Sequence, residues 1–504
     1  MLSFVKSMYL QGLDGILINV EVDISSGMPC FEIVGLPDTN IKESKERVRT
    51  AIKNCGIELL SRKYIINLSP ANIRKAGASL DLAIAVGILK SMEIIHQILL
   101  EDTIFIGELS LNGRLNKING VLPICIEAKK KGIKRIILPK ENVQEASIID
   151  GVVAIGISNL KELIEYLNKK KEIKKEEINI QDVFENVEEN IIDYSDVKGH
   201  EIVKRALEIA AAGGHNCLMF GSPGSGKTMM AKRFPTILPD LSFEESLEIT
   251  KIHSIAGNLK NQTLITQRPF RAPHHTISER ALIGGGRIPK PGEVSLAHLG
   301  VLFLDELLEF NKSTLEVLRI PMEDKVVNIT RVGISVSYPC NFMIIASMNP
   351  CPCGYYGSKI KECVCSEKQR LNYRSKLSGP MIDRFDLQIQ VNSVEYTKLR
   401  DRKTEKSKDI KERVNYARKL QLDRYKDDLI YSNAELTANM IEKYCEIEDK
   451  TFKVIEEYLQ KLKLSNRAYS KILKVARTIA DLDKENNIKL NHVLEAIQYR
   501  ILDR

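Results

Sequence analysis

The sequence of 504 residues contains no apolar run near the ~20 residues that cross a bilayer. Nor does it open with a basic segment, an apolar stretch and a small-residue cleavage site, because Asp14, Glu21 and Asp23 interrupt its first apolar residues. These absences argue against a membrane span and a secretory leader, and the expected location is the cytoplasm. There the ten cysteines should be reduced, and clustered ones are metal ligands before they are disulfides. No internal repeat is visible. Neither sign of charge dominates: 74 Lys and Arg face 66 Asp and Glu, a formal net charge of +8. That permits a polyanionic partner and equally suits a mildly basic soluble enzyme, so clustering has to decide.

The length predicts about three domains, with ample apolar residues for several cores. Up to residue 168, short apolar runs alternate with helical patterns: Ile16–Val22, Tyr64–Leu68, Thr103–Ile106 and Arg135–Pro139 are expected strands, and Leu80–Leu89 a buried helix. Residues 169–192 are mostly Lys, Glu, Asn and Asp, a charged linker or exposed helix that cannot bury a core. From 193 to 391, the continuous apolar runs Leu218–Gly221, Gly300–Leu304 and Phe342–Ser347 have the pattern of parallel strands buried on both faces. From 392 to 504 the pattern is helical, with Phe452, Ile455, Leu459 and Leu462 on one face and Tyr469, Ile472, Leu473, Ala476 and Ala480 on another.

Gly221-Ser222-Pro223-Gly224-Ser225-Gly226-Lys227-Thr228 is a complete P-loop between an apolar strand and a helical pattern. Its backbone N–H groups should cradle phosphates at a helix N-terminus. Lys227 should reach the β- and γ-phosphates of ATP, and the Thr228 hydroxyl should bind Mg²⁺. The run Val301–Leu304 ends in Asp305 and Glu306. Asp305 would hold Mg²⁺ and Glu306 would polarise the attacking water. Asn349 ends the next apolar strand, where a polar group can align that water or simply close a turn before Pro350. Arg384 stands between Asp383 and Asp386, as a local ion pair or a free guanidinium.

With these residues, Asp196–Asp386 resembles the magnesium-chelatase-like branch of the AAA+ ATPases, and specifically the ComM/YifB-type proteins associated with natural competence. The most specific segments are Asp196–His200, Pro269–His275, Pro291–His298, Asn349–Gly354 and Val475–Ala480. The resemblance implies a mixed α/β architecture: an α+β amino-terminal domain like the ribosomal S5 and Lon-protease fold, a parallel-sheet AAA+ core, and a helical lid bundle. It implies that Asn349 is the sensor-one residue, that Arg384 is an arginine finger acting on a neighbouring subunit, and that Arg467 is the sensor-two arginine. Val197 and Gly199 lie where such proteins contact adenine; His200 stands where Gln is expected. Gly77-Ala78-Ser79 matches the Lon serine segment, but in the register fixed by Gly107–Arg114 the lysine position holds Leu122. A serine without its base is not an activated nucleophile, so a scaffold or nucleic-acid platform is expected there, not a peptidase.

Cys351, Cys353, Cys363 and Cys365 form a C-x-C…C-x-C pattern. It suits a structural Zn²⁺, although C-x-x-C pairs are commoner and reduced packing thiols are the alternative. The segment from Gln267 to Gly292 holds Arg268, Arg271, His274, His275, Arg280, Arg287 and Lys290, with Gly284–Gly286 as an expected flexible tip. In the resemblance it is an insertion facing the pore of a homo-oligomeric, hexamer-type ring, able to track a DNA backbone. The expected function is therefore an ATP-driven DNA motor for branch migration or helicase activity on recombination intermediates. Protein remodelling and a chelatase-type motor are the alternatives.

Overall fold

The computed structural model describes residues 2–95, 102–176, 183–184, 192–259, 262–331, 334–358, 361–393, 404–428, 430–462 and 466–500. Most of the charged linker, and the stretch that opens the carboxy-terminal region, lie outside the described residues.

The amino-terminal region is a seven-stranded mixed sheet. Its strands are β1 (Leu2–Gln11), β2 (Asp14–Ser25), β3 (Cys30–Val34), β4 (Lys63–Ser69), β5 (Thr103–Phe105), β6 (Arg135–Pro139) and β7 (Val153–Ile157), in the order β3-β4-β2-β1-β5-β6-β7. Every expected strand is present. β1 and β2 form an antiparallel hairpin paired from Leu2↔Asp23 to Gln11↔Asp14, and the alternation along β2 sends Ile18, Val20, Val22 and Ile24 into the core. Helices α1 (Thr39–Asn54) and α2 (Asp81–Ser91) contribute to that core. Asp38 caps α1 by accepting the Ile41 N–H. α2, the expected buried helix, is buried along nearly its whole length. A second core contains residues of α3 (Val121–Lys130).

The central sheet has five strands: β8 (Cys217–Phe220), β9 (Phe270–Arg271), β10 (Val301–Leu304), β11 (Met343–Met348) and β12 (Leu387–Gln390). They run in the order β9-β10-β11-β8-β12, all parallel. β8 and β10 are buried at every position, which is why their sequences do not alternate. The carboxy-terminal region is helical: α4 (Ser407–Arg424), α5 (Ala438–Tyr444), α6 (Asp449–Leu462), α7 (Asn466–Leu482) and α8 (Leu490–Gln498). Ile472, Leu473, Ala476 and Ala480 of α7 join one continuous core with Cys217 and Met219 of β8 and Leu387 of β12.

The amino-terminal region docks on the helix Phe243–Ala256. Phe243 and Leu247 pack against the second core, the Gly120 N–H donates to Ser254 O at 3.2 Å, and the Ser254 hydroxyl donates to the buried Glu145 carboxylate.

Candidate nucleotide site

β8 ends at Phe220, and the helix Lys227–Arg233 starts within the P-loop. Gly226 has φ +88°, a left-handed turn that other residues adopt at a cost. Lys227 is 8% exposed, and its Nζ donates to Gly221 O at 2.7 Å, Ser222 O at 2.9 Å and Asn349 Oδ1 at 3.4 Å. Burial lowers its pKa, while Asp305 and Glu306 oppose that shift. The Thr228 hydroxyl donates to Asp305 Oδ2 at 2.9 Å. The fold therefore gathers the P-loop lysine and threonine, the first acid of the pair and the strand-ending asparagine within hydrogen-bond reach. The hydroxyl and carboxylate held together are the oxygen donors that Mg²⁺ prefers.

Ser347, which sequence reasoning missed, organises the acids. It is 1% exposed on β11; its hydroxyl donates to the other Asp305 oxygen and accepts the Glu306 N–H at 3.2 Å. The available signal was a hydroxyl inside an apolar strand, two residues before Asn349. Glu306 has φ +53°, the left-handed region where a residue with a side chain is strained. On the other side of the loop, Val197 is fully buried, Gly199 and His200 have φ +67° and +62°, and the His200 ring lies against Gly226. Burial lowers the His200 pKa. Arg233 ties this segment to the P-loop helix through Asp193 O at 2.9 Å and Asp196 Oδ2 at 2.9 Å.

The four clustered cysteines converge beside this site. Their sulfurs all lie within 4.8 Å of one another. Cys351 and Cys353 are 3.4 Å apart, and each stands 3.6 Å from Cys363. Four thiolates bound tetrahedrally at ~2.3 Å from one Zn²⁺ would stand about 3.8 Å apart, so the donor set and spacing fit that ion. Backbone N–H groups of Tyr356 and Cys353 point at Cys351 and Cys365 sulfur, at 3.3 and 3.4 Å. The loop touches the P-loop directly: a Cβ on Gly354, which has φ +83°, would stand 2.6 Å from Pro223 Cγ.

Comparison with known proteins places this geometry. A profile described as "Magnesium chelatase, subunit ChlI" matches residues 193–399, one described as "Subunit ChlI of Mg-chelatase" matches 20–142, and its carboxy-terminal profile matches 404–500. Over 505 residues the chain is 41% identical to the uncharacterized protein YifB of Escherichia coli, covering 100% of this chain and 98% of that one. It is 39% identical over 506 residues to the competence protein ComM of Haemophilus influenzae, with the same coverage. The chain belongs to the ComM/YifB family of magnesium-chelatase-like AAA+ proteins. A shorter similarity, 31% over 170 residues and 30% of each chain, links it to Lon protease 2 of Bacillus subtilis.

In this ComM/YifB chain, two arginines stand apart from the P-loop. Arg384 and Arg467 line a cavity of about 640 Å³ to which, among the described residues, Gly221–Thr228 contribute nothing. Arg384 pairs with Glu323 rather than with Asp383 or Asp386, and donates to Pro380 O at 2.7 Å; among the described residues its buried Nε has no hydrogen-bond partner. Lys325, Arg418, Lys471 and Lys474 line the same cavity. Among the described residues Arg418 reaches only carbonyls, of Tyr431 at 2.7 Å and Ala211 at 3.3 Å, and burial brings its pKa down to about 10.

The family segment Val475–Ala480 is structural. Arg477, 3% exposed, donates to Asp481 at 3.2 Å and to the carbonyls of Asn486 and Glu485 at 2.7 Å each. Thr478 Oγ1 meets His215 Nε2 at 2.7 Å, two residues before β8.

The basic segment divides. Arg268 is consumed by carbonyls and Glu245, and Arg271 by a bidentate pair with Glu293 at 2.6 and 2.8 Å. These two are fasteners, a correction to their expected place against a phosphate backbone. Gly284–Gly285 pair with Lys290–Pro291 in a short ladder, so these two glycines of the expected tip form a hairpin leg, while Gly286 stays in the tip, residues 286–289. Arg280, Arg287 and Lys290 are exposed. A second hairpin, Val326–Arg331 with Ile334–Pro339, lies alongside, with exposed Arg331 3.6 Å from a Cβ built on Gly285. Its strands VVNITR and ISVSYP alternate with period two, a signal that sequence reasoning also missed.

Proposed function

We propose that this chain is an ATP-hydrolysing ring motor that acts on DNA, in the branch-migration or helicase class, in keeping with the competence protein among its relatives. The observation that carries the reading is the division of its charged groups. Lys227, Thr228, Asp305 and Asn349 cluster, whereas Arg384 and Arg467 share a separate cavity. Such a chain completes its hydrolytic site from a second copy, which supports a homo-oligomeric ring of the hexamer type.

On this reading, P-loop N–H groups hold the phosphates of ATP, and Lys227 exchanges carbonyl partners for β- and γ-phosphate oxygens. Thr228 and Asp305 would hold Mg²⁺, which when bound neutralises phosphate charge. Glu306 takes a proton from the attacking water and Asn349 orients it. Arg384 and Arg467 of one subunit meet the γ-phosphate of the next, and Val197 and Gly199 flank the adenine. Cys351, Cys353, Cys363 and Cys365 hold a structural Zn²⁺ that stiffens the loop against Pro223. The exposed Arg280, Arg287, Lys290 and Arg331 on and beside the paired hairpins contact phosphates of the DNA backbone.

The amino-terminal region is not a peptidase on this reading. Ser79 is half-buried, Leu122 is fully buried, and Lys75 is committed to the carbonyls of Gly35 at 3.0 Å, Leu68 at 2.9 Å and Pro70. None of these is a free general base.

The test is ATP turnover alone, with forked DNA and with unfolded polypeptide. Forked DNA is expected to stimulate, and neutralising Arg287 and Lys290 to flatten the salt dependence of DNA binding by about one unit of log–log slope per lost contact. Absence of DNA affinity at low salt, with stimulation by polypeptide, would replace this reading with protein remodelling.

A further inference from the structure

Far from the nucleotide site, the amino-terminal sheet leaves one edge open. Among the described residues β3 pairs with β4 alone and ends the sheet. Natural sheets cover or blunt such edges, because their unpaired N–H and C=O groups template another strand. Here the edge is flanked by exposed apolar side chains: Met28 at 89%, Val34 at 43% and Leu36 at 55%. A groove of about 280 Å³ runs along it, lined by Phe31, Glu32, Ile33 and Val34 on the strand and by Lys42 and Lys45 on α1. A groove between an edge strand and a helix is the form in which folded domains take up extended peptides.

The edge is also held in place. Beyond β3, Gly35 O and Leu68 O both accept hydrogen bonds from the fully buried Lys75 ammonium, together with Pro70 O. The Asp38 N–H donates to Lys75 O at 3.0 Å, and Phe31 stacks on Tyr64 of the neighbouring strand at 5.7 Å. A buried lysine joining the ends of two adjacent strands fixes the edge before any partner arrives, which lowers the ordering cost of binding. This gives Lys75 a role that no catalytic reading of the domain supplies.

We propose that this groove binds an extended acidic peptide, which adds to the sheet beside β3. The strand edge recognises the peptide backbone, Val34 and Leu36 receive its apolar side chains, and Lys42 and Lys45 attract its carboxylates. Among the described residues Lys42 makes no ion pair, and Lys45 reaches only the exposed Glu46 at 4.0 Å, so both cations are available. A nucleic acid would find the same two cations beside the exposed Glu32 carboxylate, but it has no amide row to pair with the edge.

The probe is a fluorescein-labelled peptide of about eight residues alternating valine and glutamate, titrated by anisotropy into the full-length protein. Saturable binding is expected, weakened about tenfold or more by Lys42→Glu with Lys45→Glu through like-charge repulsion, and absent for a valine–lysine peptide. N-methylation of one alternate set of peptide amides should abolish binding, while methylation of the other set should leave it intact, because a strand pairs through one edge. Basal ATP turnover of the double variant should match the unaltered chain, which reports that it is folded. Equal effects of the two methylation patterns, indifference to the lysine reversals, or displacement of the peptide by single-stranded DNA at the same lysines would each overturn the proposal. The methylation and charge-reversal outcomes leave the motor reading untouched, whereas displacement by DNA would add a DNA contact to it.

Discussion

Arg384→Ala offers the sharpest separation between a finger and a fastener. In this chain the guanidinium pairs with Glu323, whose side chain is 61% exposed. Arg384 itself is 11% exposed and also donates to Pro380 O; with about 0–1 kcal/mol for the half-open pair and about 1.5–3 kcal/mol for a hydrogen bond to a charged group, releasing Arg384 toward a neighbouring subunit costs about 1.5–4 kcal/mol. Arginine fingers supply ~10³–10⁵ in rate, which at about 1.36 kcal/mol per decade is roughly 4–7 kcal/mol of transition-state stabilisation. The benefit is therefore the larger of the two. Arg384→Ala should bind ATP normally and lose about three decades or more of turnover, measured by phosphate release from assembled protein. Glu323→Ala should hold the wild-type rate within about fivefold, since it removes only the weak competing partner. Mixing Arg384→Ala with Lys227→Ala subunits should restore activity, because some interfaces then combine an intact P-loop with an intact finger. Turnover of Arg384→Ala within tenfold of wild type, or no rescue despite proven co-assembly, would refute the assignment and leave the Glu323 pair as the residue's purpose.

Three further outcomes follow from the geometry. Glu306→Gln should retain ATP binding and lose ~10²–10⁴ in turnover, the scale of a positioned general base, in a single-turnover assay; near-normal turnover would remove the assignment. Purified protein should carry about one Zn²⁺ per chain by metal analysis, and Cys363→Ser should release it; metal-free protein prepared under reducing conditions without chelators would mark the cysteines as packing thiols. Burial raises the pKa of Glu145 at the contact with Ser254, outweighing its hydrogen bonds. A raised folded-state pKa gives stability that is full below the ordinary glutamate value of about 4.3 and is lost as pH rises through the raised value. Urea midpoints should therefore fall with rising pH across that window, and Glu145→Gln should flatten the slope; an unchanged slope would show that the carboxyl titrates normally.

The fold was legible where burial leaves a simple trace. The unbroken apolar runs of β8 and β10 are buried on both faces, β11 is too apart from its first residue despite Ser347, and the alternation along β2 follows from one buried face. The P-loop was legible because its chemistry fixes both residue types and spacing. Other parts were not legible, for physical reasons. Whether Arg271 meets a phosphate or a carboxylate depends on Glu293, 22 positions away, and on the turn that brings them together. Ser347 resembled an interruption in an apolar strand until the neighbouring strand set Asp305 against it. The hairpin bearing Arg331 gains its meaning only from lying beside Gly285. The open edge of β3 is a property of strand order, which the sequence of the strand does not contain.

The continuous core beneath α7 and the strands β8 and β12 carries a consequence for how the molecule can be divided. The pattern change near residue 392 looks like a seam at which the chain could be cut. Cutting there would strip Ile472, Leu473, Ala476 and Ala480 from the flank of the sheet and leave His215 without Thr478. The severed ATPase core would then present a broad oily face to water, and the severed helices would have nothing to fold against. The bundle therefore behaves less like a hinged cover than like the second half of one keystone. The helix that carries Arg467 and the strand that leads into the P-loop bury their apolar side chains in this one core.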